Sequence, residues 1–178
     1  MENPFIFGTA TYDECFTDRE KEVERLSLNF RNGINTIIIS PRRWGKTSLV
    51  MKTATVVKHK ALAVVNVDIF SCRSEIDFYH LLAVEIIKQT STKWEEWASN
   101  TKQFLSALMP RITFGADSLN DFTISFDFSN KRTTEEEVLS LPEKIAIAKK
   151  IKIVVCIDEF QQIAEFNDSV TFQKKQNH

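Results

Sequence analysis

The chain has little of several features that would mark a specialised class of protein. Its cysteines, Cys15, Cys72 and Cys156, are an odd number set far apart, which excludes a disulfide framework and a cysteine-based zinc site. The formal net charge is -1, so no basic field indicates nucleic acid and no acidic excess indicates a cation store. No apolar run approaches the ~20 residues that span a bilayer. We therefore expect a reduced, cytoplasmic protein with no membrane partner.

Hydrophobic periodicity predicts an α/β fold. The chain has 178 residues, of which 43% are hydrophobic, enough for one globular domain with a core. Short β-branched runs at residues 34–39, 61–70 and 153–157 predict buried strands, the first of them a central strand of a parallel sheet. Helices are predicted between and around them, at residues 18–30, 45–58, 75–90, 93–109 and from about 133 to 150.

Local signals refine several of these elements. Asp18 is expected to cap the first helix, and the Asn32-Gly33 pair to end it. The third helix is expected to bury a face with Ile76, Tyr79, Ala83, Ile86 and Ile87. Residues 111–130 alternate between apolar and polar side chains, which predicts an inserted antiparallel hairpin. Thr133 or Thr134 with Glu136 or Glu137 predicts a capping box for the last helix, with a bend or restart at Pro142.

The stretch INTIIISPRRWGKTSLV, residues 34–50, resembles a phosphate-binding loop of the GxxxxGK[ST] type, or Walker A motif. Gly45 lets the backbone approach phosphates closely, and the amides around Trp44 to Ser48 meet the positive end of a helix dipole. Lys46 can reach the β- and γ-phosphates of ATP, and the Thr47 hydroxyl can ligate Mg²⁺.

The start of this loop departs from the pattern. Ser40 stands where the first glycine belongs, and its Cβ penalises a positive φ. Pro41 offers no amide. Arg42 and Arg43 form either a solvated loop tip or a cationic contact with phosphate or a facing subunit. Trp44 either packs over the helix start or stacks on a base.

A second acidic motif follows the last predicted strand, in the sequence IKIVVCIDEF. Ligands of open α/β sheets bind at the carboxyl ends of strands, where Asp158 and Glu159 stand as a Walker B-like pair. Asp158 is expected to hold Mg²⁺ through a water, and Glu159 to accept a proton from the water that attacks the γ-phosphate. Asp68, at the end of the preceding strand, either faces the same crevice or caps the loop that follows it.

The adjacent acid pair bears on the reaction type. An Asp-Glu strand end favours water as the phosphoryl acceptor, so ATP hydrolysis is preferred to a kinase reaction. No NKxD segment for guanine is present, which argues against a GTPase.

Four segments together resemble the archaeal and bacterial ATPases of the AAA-related class, particularly the Bacteroides-type members: NPFIFG, FTDREKEVERL, SPRRWGKTSLV and CIDEFQQI. The resemblance implies a P-loop NTPase three-layer core with a parallel central sheet, in which the serine-proline loop start is usual. It implies that Gly45, Lys46 and Thr47 bind the phosphates, and that Asp158 and Glu159 bind the metal and activate the water. The segment with Phe16, Arg19 and Glu20 resembles one that lies against the adenine; otherwise it is a helix cap with an exposed ion pair.

The same resemblance sets expectations for organisation and partners. Residues 1–33 form an N-terminal segment with a helix, and residues 34–178 a core that stops before the sensor strand, lid and arginine finger. We therefore expect an N-terminal fragment whose turnover is slow or absent, ~10³- to 10⁵-fold below an assembled enzyme. The alternative is a nucleotide-dependent switch that presents the hairpin as a binding surface. A homo-oligomer of the full-length protein and DNA binding are expected from the family alone.

Overall fold

The computed structural model describes residues 19–41, 43–58, 61–90, 112–116, 122–126 and 131–166. The described helices are α1 (Glu20–Asn32), α2 (Lys46–Val57), α3 (Glu75–Thr90) and α4 (Lys131–Lys149). The described strands are β1 (Leu62–Asp68), β2 (Ile112–Ala116), β3 (Phe122–Phe126) and β4 (Lys152–Asp158), and a 3₁₀ helix, Phe160–Glu165, follows β4. The chain divides into two compact units, Met1–Val64 and Val65–His178, and the architecture is α/β.

The first unit contains α1 and α2, which pack against each other. Gly33 ends α1 in the left-handed conformation, with φ 68°. The amide of Gly33 donates to the Phe30 carbonyl, and the amide of Ile34 to the Asn29 carbonyl over 3.0 Å. These two bonds are those of a Schellman motif, which satisfies the last carbonyls of the helix. The predicted turn at Asn32-Gly33 is therefore confirmed, whereas Asp18 lies outside the described residues.

The prediction of a buried strand at residues 34–39 is wrong. This segment has no strand pairing, and three of its four isoleucines are exposed: Ile34 by 54%, Ile37 by 87% and Ile39 by 90%, whereas Ile38 is half-buried. Its start is tied to the end of α1, since the Asn29 side-chain amide donates to the Thr36 hydroxyl over 3.0 Å. β-branched residues favour a strand only where a neighbouring strand supplies hydrogen bonds and cover. No such neighbour is present among the residues that the structure describes.

The second unit is organised around a small parallel sheet. Within the described residues, β1 and β4 form a sheet of two strands. Helices α3 and α4 pack against each other, and α4 also packs against β4. The core combines apolar side chains from these elements and from the 3₁₀ helix, among them Val65, Val67, Phe78, Leu82, Ile86, Val138, Leu141, Ile145 and Ile163. The predicted strands at residues 61–70 and 153–157 are confirmed, although the β4 side chains are half-buried rather than fully buried.

Helix α3 spans the predicted residues and buries one face, but the face differs in one position. Phe78, Tyr79, Leu82 and Ala83 are buried, whereas Ile76 is 48% exposed. The buried positions follow the i, i+3, i+4 spacing that starts at Glu75, and Ile76 falls outside that stripe.

Helix α4 begins earlier than the capping signal predicts. It starts at Lys131, so Thr134 lies inside the first turn, fully buried, and does not precede the helix. The predicted capping box is therefore wrong. The helix also continues through Pro142 without a restart.

The predicted hairpin is confirmed. Strands β2 and β3 pair antiparallel, with Ile112 opposite Phe126 and Ala116 opposite Phe122. The predicted helix at residues 93–109 lies outside the described residues. Within the described parts of the chain, no helix combines the length and apolar character required to span a membrane.

Candidate functional site

The predicted phosphate-binding loop leads into a helix, as the motif requires. Gly45 is the residue before α2 and adopts the left-handed conformation, with φ 67°. A Cβ placed on Gly45 would meet no atom closer than 3.9 Å, so the backbone conformation rather than crowding calls for glycine. The Gly45 carbonyl accepts the first helical hydrogen bond, from the Leu49 amide over 2.9 Å. The residues after Gly45 therefore form the first turn of α2, where backbone amides point out of the helix end.

Lys46 turns back over the loop. Its ammonium donates a hydrogen bond to the Ser40 carbonyl over 3.3 Å, in a partly buried environment. This bond closes the loop between the position of the missing glycine and the start of α2. The Lys46 charge is thereby held beside the first-turn amides, where an anion is favoured by both the cation and the helix dipole.

Ser40 does not carry the backbone strain that its position suggests. The positive φ outside glycine in this loop is found at Arg43, with φ 67°, and not at Ser40. The Ser40 hydroxyl oxygen is shielded from solvent and has no hydrogen-bond partner in the described structure. Such a group costs free energy unless a water, ion or ligand oxygen satisfies it.

The other loop side chains differ in exposure. Trp44 is 68% exposed, so the alternative in which it packs over the helix start is not what the structure contains. Arg43 and Thr47 are exposed and Ser48 is buried. Pro41 is exposed as well, whereas Arg42 lies outside the described residues.

Arg19 contacts this loop from the start of α1. Its Nη1 donates to the Trp44 carbonyl over 2.9 Å and to the Gly45 carbonyl over 3.4 Å. Its Nε pairs with the Glu22 carboxylate over 3.3 Å. From the sequence, Arg19 is expected to lie against the adenine or to form an exposed ion pair. Its contact with the loop is not predicted, because nothing in local spacing indicates a bond between residues 25 positions apart.

The second predicted motif lies in the second unit, at the carboxyl edge of the β1–β4 sheet. Asp158 is the last residue of β4, and its Oδ1 accepts a hydrogen bond from the Glu159 amide over 2.9 Å. The Ile69 amide donates to the Asp158 carbonyl over 3.3 Å, which brings the end of β1 beside the end of β4. Asp68 and Asp158 therefore share one edge of the sheet. The Asp68 carboxylate also accepts a bond from the Phe70 amide over 3.0 Å, so its role as a loop cap is confirmed.

Glu159 has an unusual backbone for its residue type. It adopts φ 56° and ψ 37°, in the left-handed region, immediately before the 3₁₀ helix. Its carboxylate accepts a hydrogen bond from the Gln161 side chain, and its carbonyl accepts one from the Gln162 amide over 2.8 Å. A non-glycine residue in this region is costly and is enriched at functional sites. The turn holds the Glu159 carboxylate next to the end of β4.

Burial controls the chemistry of a thiol close to these acids. Burial raises the pKa of Cys156, two residues before Asp158, to about 12. Burial also raises the pKa of Cys72, with smaller contributions from Asp77 and Asp68. Both thiols therefore stay protonated near neutral pH and are poor nucleophiles.

The described residues thus contain two groups of candidate site residues, each within its own unit. The loop, Lys46 and Arg19 come together in the first unit, and Asp68, Asp158 and Glu159 in the second. Among the described residues, no cluster of three or more His, Cys, Asp or Glu side chains is arranged to hold a metal ion. Comparison with family models, curated proteins and solved structures found no match to this chain.

Proposed function

We propose that the protein is a P-loop ATPase domain that binds ATP with Mg²⁺ and hydrolyses it slowly. The observation that carries the proposal is the geometry at Gly45 and Lys46. Gly45 starts α2 from a left-handed conformation, and the Lys46 ammonium folds back to the Ser40 carbonyl at 3.3 Å. A glycine turn, a helix N-terminus and a lysine gathered at one point suit a polyphosphate.

The loop also fits a triphosphate through an unsatisfied atom. The Ser40 hydroxyl is buried without a hydrogen-bond partner in the described structure, and a phosphate oxygen or a water bound to Mg²⁺ would satisfy it. The exposed Trp44 indole remains accessible for stacking on a base. The serine in place of the first glycine is therefore compatible with nucleotide binding.

The motifs, rather than any contact between the two units, are the basis for proposing the Thr47 hydroxyl and, through a water, Asp158 as oxygen donors to Mg²⁺, which would neutralise charge on the phosphate oxygens. Both are oxygen donors, which is the ligand type that Mg²⁺ prefers. Mg²⁺ commonly takes one or two protein oxygens and fills its remaining positions with water and phosphate. The lack of a larger acidic cluster among the described residues is therefore consistent with this assignment.

In this proposal different residues bind the phosphates and activate the attacking water. Lys46 and the first-turn amides of α2 bind and orient the phosphates, and Glu159 accepts a proton from the attacking water. The backbone conformation of Glu159 and its bond from Gln161 restrict where that carboxylate points. The resemblance to AAA-related ATPases supports the same assignment, and a cytoplasmic location and assembly with further copies belong to the same proposal.

Calorimetric titration of the protein with MgATP tests the binding claim. We expect saturable binding that Lys46→Ala weakens by at least about tenfold, since the loss of one charge-assisted contact removes more than ~1.4 kcal/mol. Lys58→Ala is the matched control, because Lys58 is exposed at the opposite end of α2 and should leave binding unchanged. Equal affinities for the wild type and Lys46→Ala would refute the phosphate-binding role of the loop.

Steady-state release of inorganic phosphate tests the hydrolase claim separately. We expect slow release that Glu159→Gln abolishes while ATP binding persists. Binding without any release from the wild type would leave a nucleotide-dependent switch in place of an ATPase. Unchanged release from Glu159→Gln would show that the general base is another residue.

A further inference from the structure

We infer that Arg19 is a positioning residue: it bonds backbone carbonyls of the phosphate-binding loop on the side opposite the ligand, so that consecutive backbone amides face the phosphates. The inference rests on the proposed function of the loop and adds to it a residue outside the motif. It also assigns Arg19 to the phosphate side of the nucleotide rather than to the adenine side.

The hydrogen bonds of Arg19 end on two consecutive peptide units. Arg19 Nη1 lies 2.9 Å from the Trp44 carbonyl and 3.4 Å from the Gly45 carbonyl. The Trp44 carbonyl belongs to the same peptide plane as the Gly45 amide, and the Gly45 carbonyl to the same plane as the Lys46 amide. In a trans peptide the carbonyl and the amide point in opposite directions. Arg19 therefore restrains the first plane by itself and the second together with the helical bond from the Leu49 amide, with the Gly45 and Lys46 amides directed away from it.

This orientation is the one that an anion site requires. Successive amides that converge on one side form a concave anion-binding surface, and here they lie at the positive end of the α2 dipole. Arg19 binds carbonyls and not the ligand, so it holds this surface without occupying the space that phosphate would take. Its charge also adds to the positive potential at the loop.

The environment of Arg19 suits a fixed role better than a solvated one. The Arg19 side chain is 26% exposed, and its Nε is engaged by the Glu22 carboxylate at 3.3 Å. Glu22 restrains the guanidinium from the α1 side, which leaves Nη1 directed at the loop. A lysine carries all of its donors on one nitrogen, so it cannot bond Glu22 and the loop carbonyls from two separate nitrogens in a fixed plane, as Arg19 does.

The loop needs such support because its own sequence provides little. Arg43 and Gly45 both adopt positive φ, at 67°, and Arg43 does so with a side chain that penalises this conformation. Ser40 and Pro41 replace the glycine-led start of the usual pattern. A loop of this kind keeps its shape only where the surrounding structure restrains it. In this chain α1 supplies that restraint through Arg19.

Ligand binding to matched variants tests the inference. The ligands are MgATP, Mg-tripolyphosphate and adenosine, each titrated by calorimetry into the wild type, Lys46→Ala, Arg19→Gln, Arg19→Lys and Arg25→Gln. Arg25 is an exposed arginine of the same helix, so Arg25→Gln removes the same charge without touching the loop. We expect Arg19→Gln to weaken MgATP and Mg-tripolyphosphate by a similar factor of about ten. Arg19→Lys should lose less, and Arg25→Gln should bind as the wild type does.

A second measurement reports on the loop without any ligand. Hydrogen exchange at the Leu49 amide, which donates to the Gly45 carbonyl over 2.9 Å, should be faster in Arg19→Gln than in Arg25→Gln, while the later turns of α2 exchange at the wild-type rate. A residue that merely stabilised the unit would accelerate exchange throughout α1 and α2. If Arg19→Gln does not fold, as judged by circular dichroism, then ligand affinity and hydrogen exchange are compared between Arg19→Lys and Arg25→Gln instead.

The outcomes separate this inference from the proposed function. Wild-type affinities in Arg19→Gln, together with weakened binding in Lys46→Ala, would overturn the role of Arg19 and leave the ATP site standing. A loss for MgATP and adenosine but not for tripolyphosphate would place Arg19 at the adenine and overturn the inference as well. If the wild type binds none of the polyphosphates, the proposed function fails and the inference fails with it.

Discussion

The Ile69 amide donates a hydrogen bond to the Asp158 carbonyl over 3.3 Å, and this bond places two aspartates at one edge of the sheet. Asp68 and Asp158 end neighbouring parallel strands, yet their carboxylates make different local bonds. Asp68 caps the turn after β1 through the Phe70 amide, and Asp158 accepts the Glu159 amide. Asp68 is exposed and Asp158 is half-buried. Asp68 thus forms a turn, and the metal role that we propose is given to Asp158 alone.

The two aspartates should therefore respond differently to the same substitution. Mg²⁺ is expected to strengthen ATP binding by the wild type. In Asp158→Asn this strengthening should be about 10- to 100-fold smaller, because the variant lacks the carboxylate that would orient a metal-bound water. Asp68→Asn keeps an oxygen that can accept the Phe70 amide, so it should leave that gain unchanged. The measurement is the ATP dissociation constant with Mg²⁺ and with EDTA. Equal losses in the two variants would assign both aspartates to the metal.

Gly45 and Gly33 have the same backbone conformation, so a comparison of the two distinguishes the effect of backbone strain from an effect on ligand binding. Both lie in the left-handed region, at φ 67° and 68°, and neither would meet a steric clash on gaining a Cβ. Each substitution to alanine should therefore destabilise the protein by about 1–2 kcal/mol, measured by urea unfolding. Only Gly45→Ala should also weaken MgATP binding, by about tenfold, because the strained residue lies at the phosphate loop. Equal affinities in the two variants would argue against phosphate contact at Gly45.

Local signals in the sequence predict the elements whose stability is itself local. Helix α3 occupies the predicted residues, because an amphipathic stripe over 16 positions defines it. The end of α1 is predicted because Gly33 is the residue that a left-handed helix terminus requires. The hairpin of β2 and β3 follows from strict alternation. In each case the determining interactions lie within a short stretch of chain.

Features that depend on distant partners are not predicted. Residues 34–39 are rich in β-branched side chains and have strand propensity, but a strand forms only beside another strand. Within the described residues, no strand pairs with this segment. The strain in the loop falls on Arg43 rather than Ser40, because the path of the backbone and not the motif decides which residue turns. The contact of Arg19 with Trp44 depends on how α1 meets α2. The motif thus indicates the loop, whereas its support is visible only in three dimensions.

The buried thiol of Cys156 gives a prediction for reactivity against pH. Burial raises its pKa to about 12, so the native thiol is protonated at pH 8 and should react with iodoacetamide at least about tenfold more slowly than in the unfolded chain. The raised pKa also bears on stability. The contribution of this protonated thiol to the free energy of unfolding is fully present below the unfolded pKa of ~8.5. It is lost as the pH rises from there toward 12, because the unfolded chain releases the proton first. Peptide-resolved mass spectrometry of alkylation measures the rate, with urea-unfolded protein as the reference. Similar native and unfolded rates at pH 8 would show that Cys156 is exposed.

The exposed isoleucines of residues 34–39 give the sharpest comparison between the strand that the sequence predicts and the segment that the structure contains. Ile37 is 87% exposed, so Ile37→Ala should change the free energy of unfolding by no more than ~0.5 kcal/mol. Leu49 is 4% exposed in α2 of the same unit, so Leu49→Ala should cost about 2–5 kcal/mol through lost burial and a residual cavity. Urea unfolding followed by circular dichroism measures both, and Leu49→Ala establishes that the method detects a core substitution in this unit. A cost of several kcal/mol for Ile37→Ala would mean that the segment is buried in solution, because only a side chain with packed neighbours loses that much free energy on truncation.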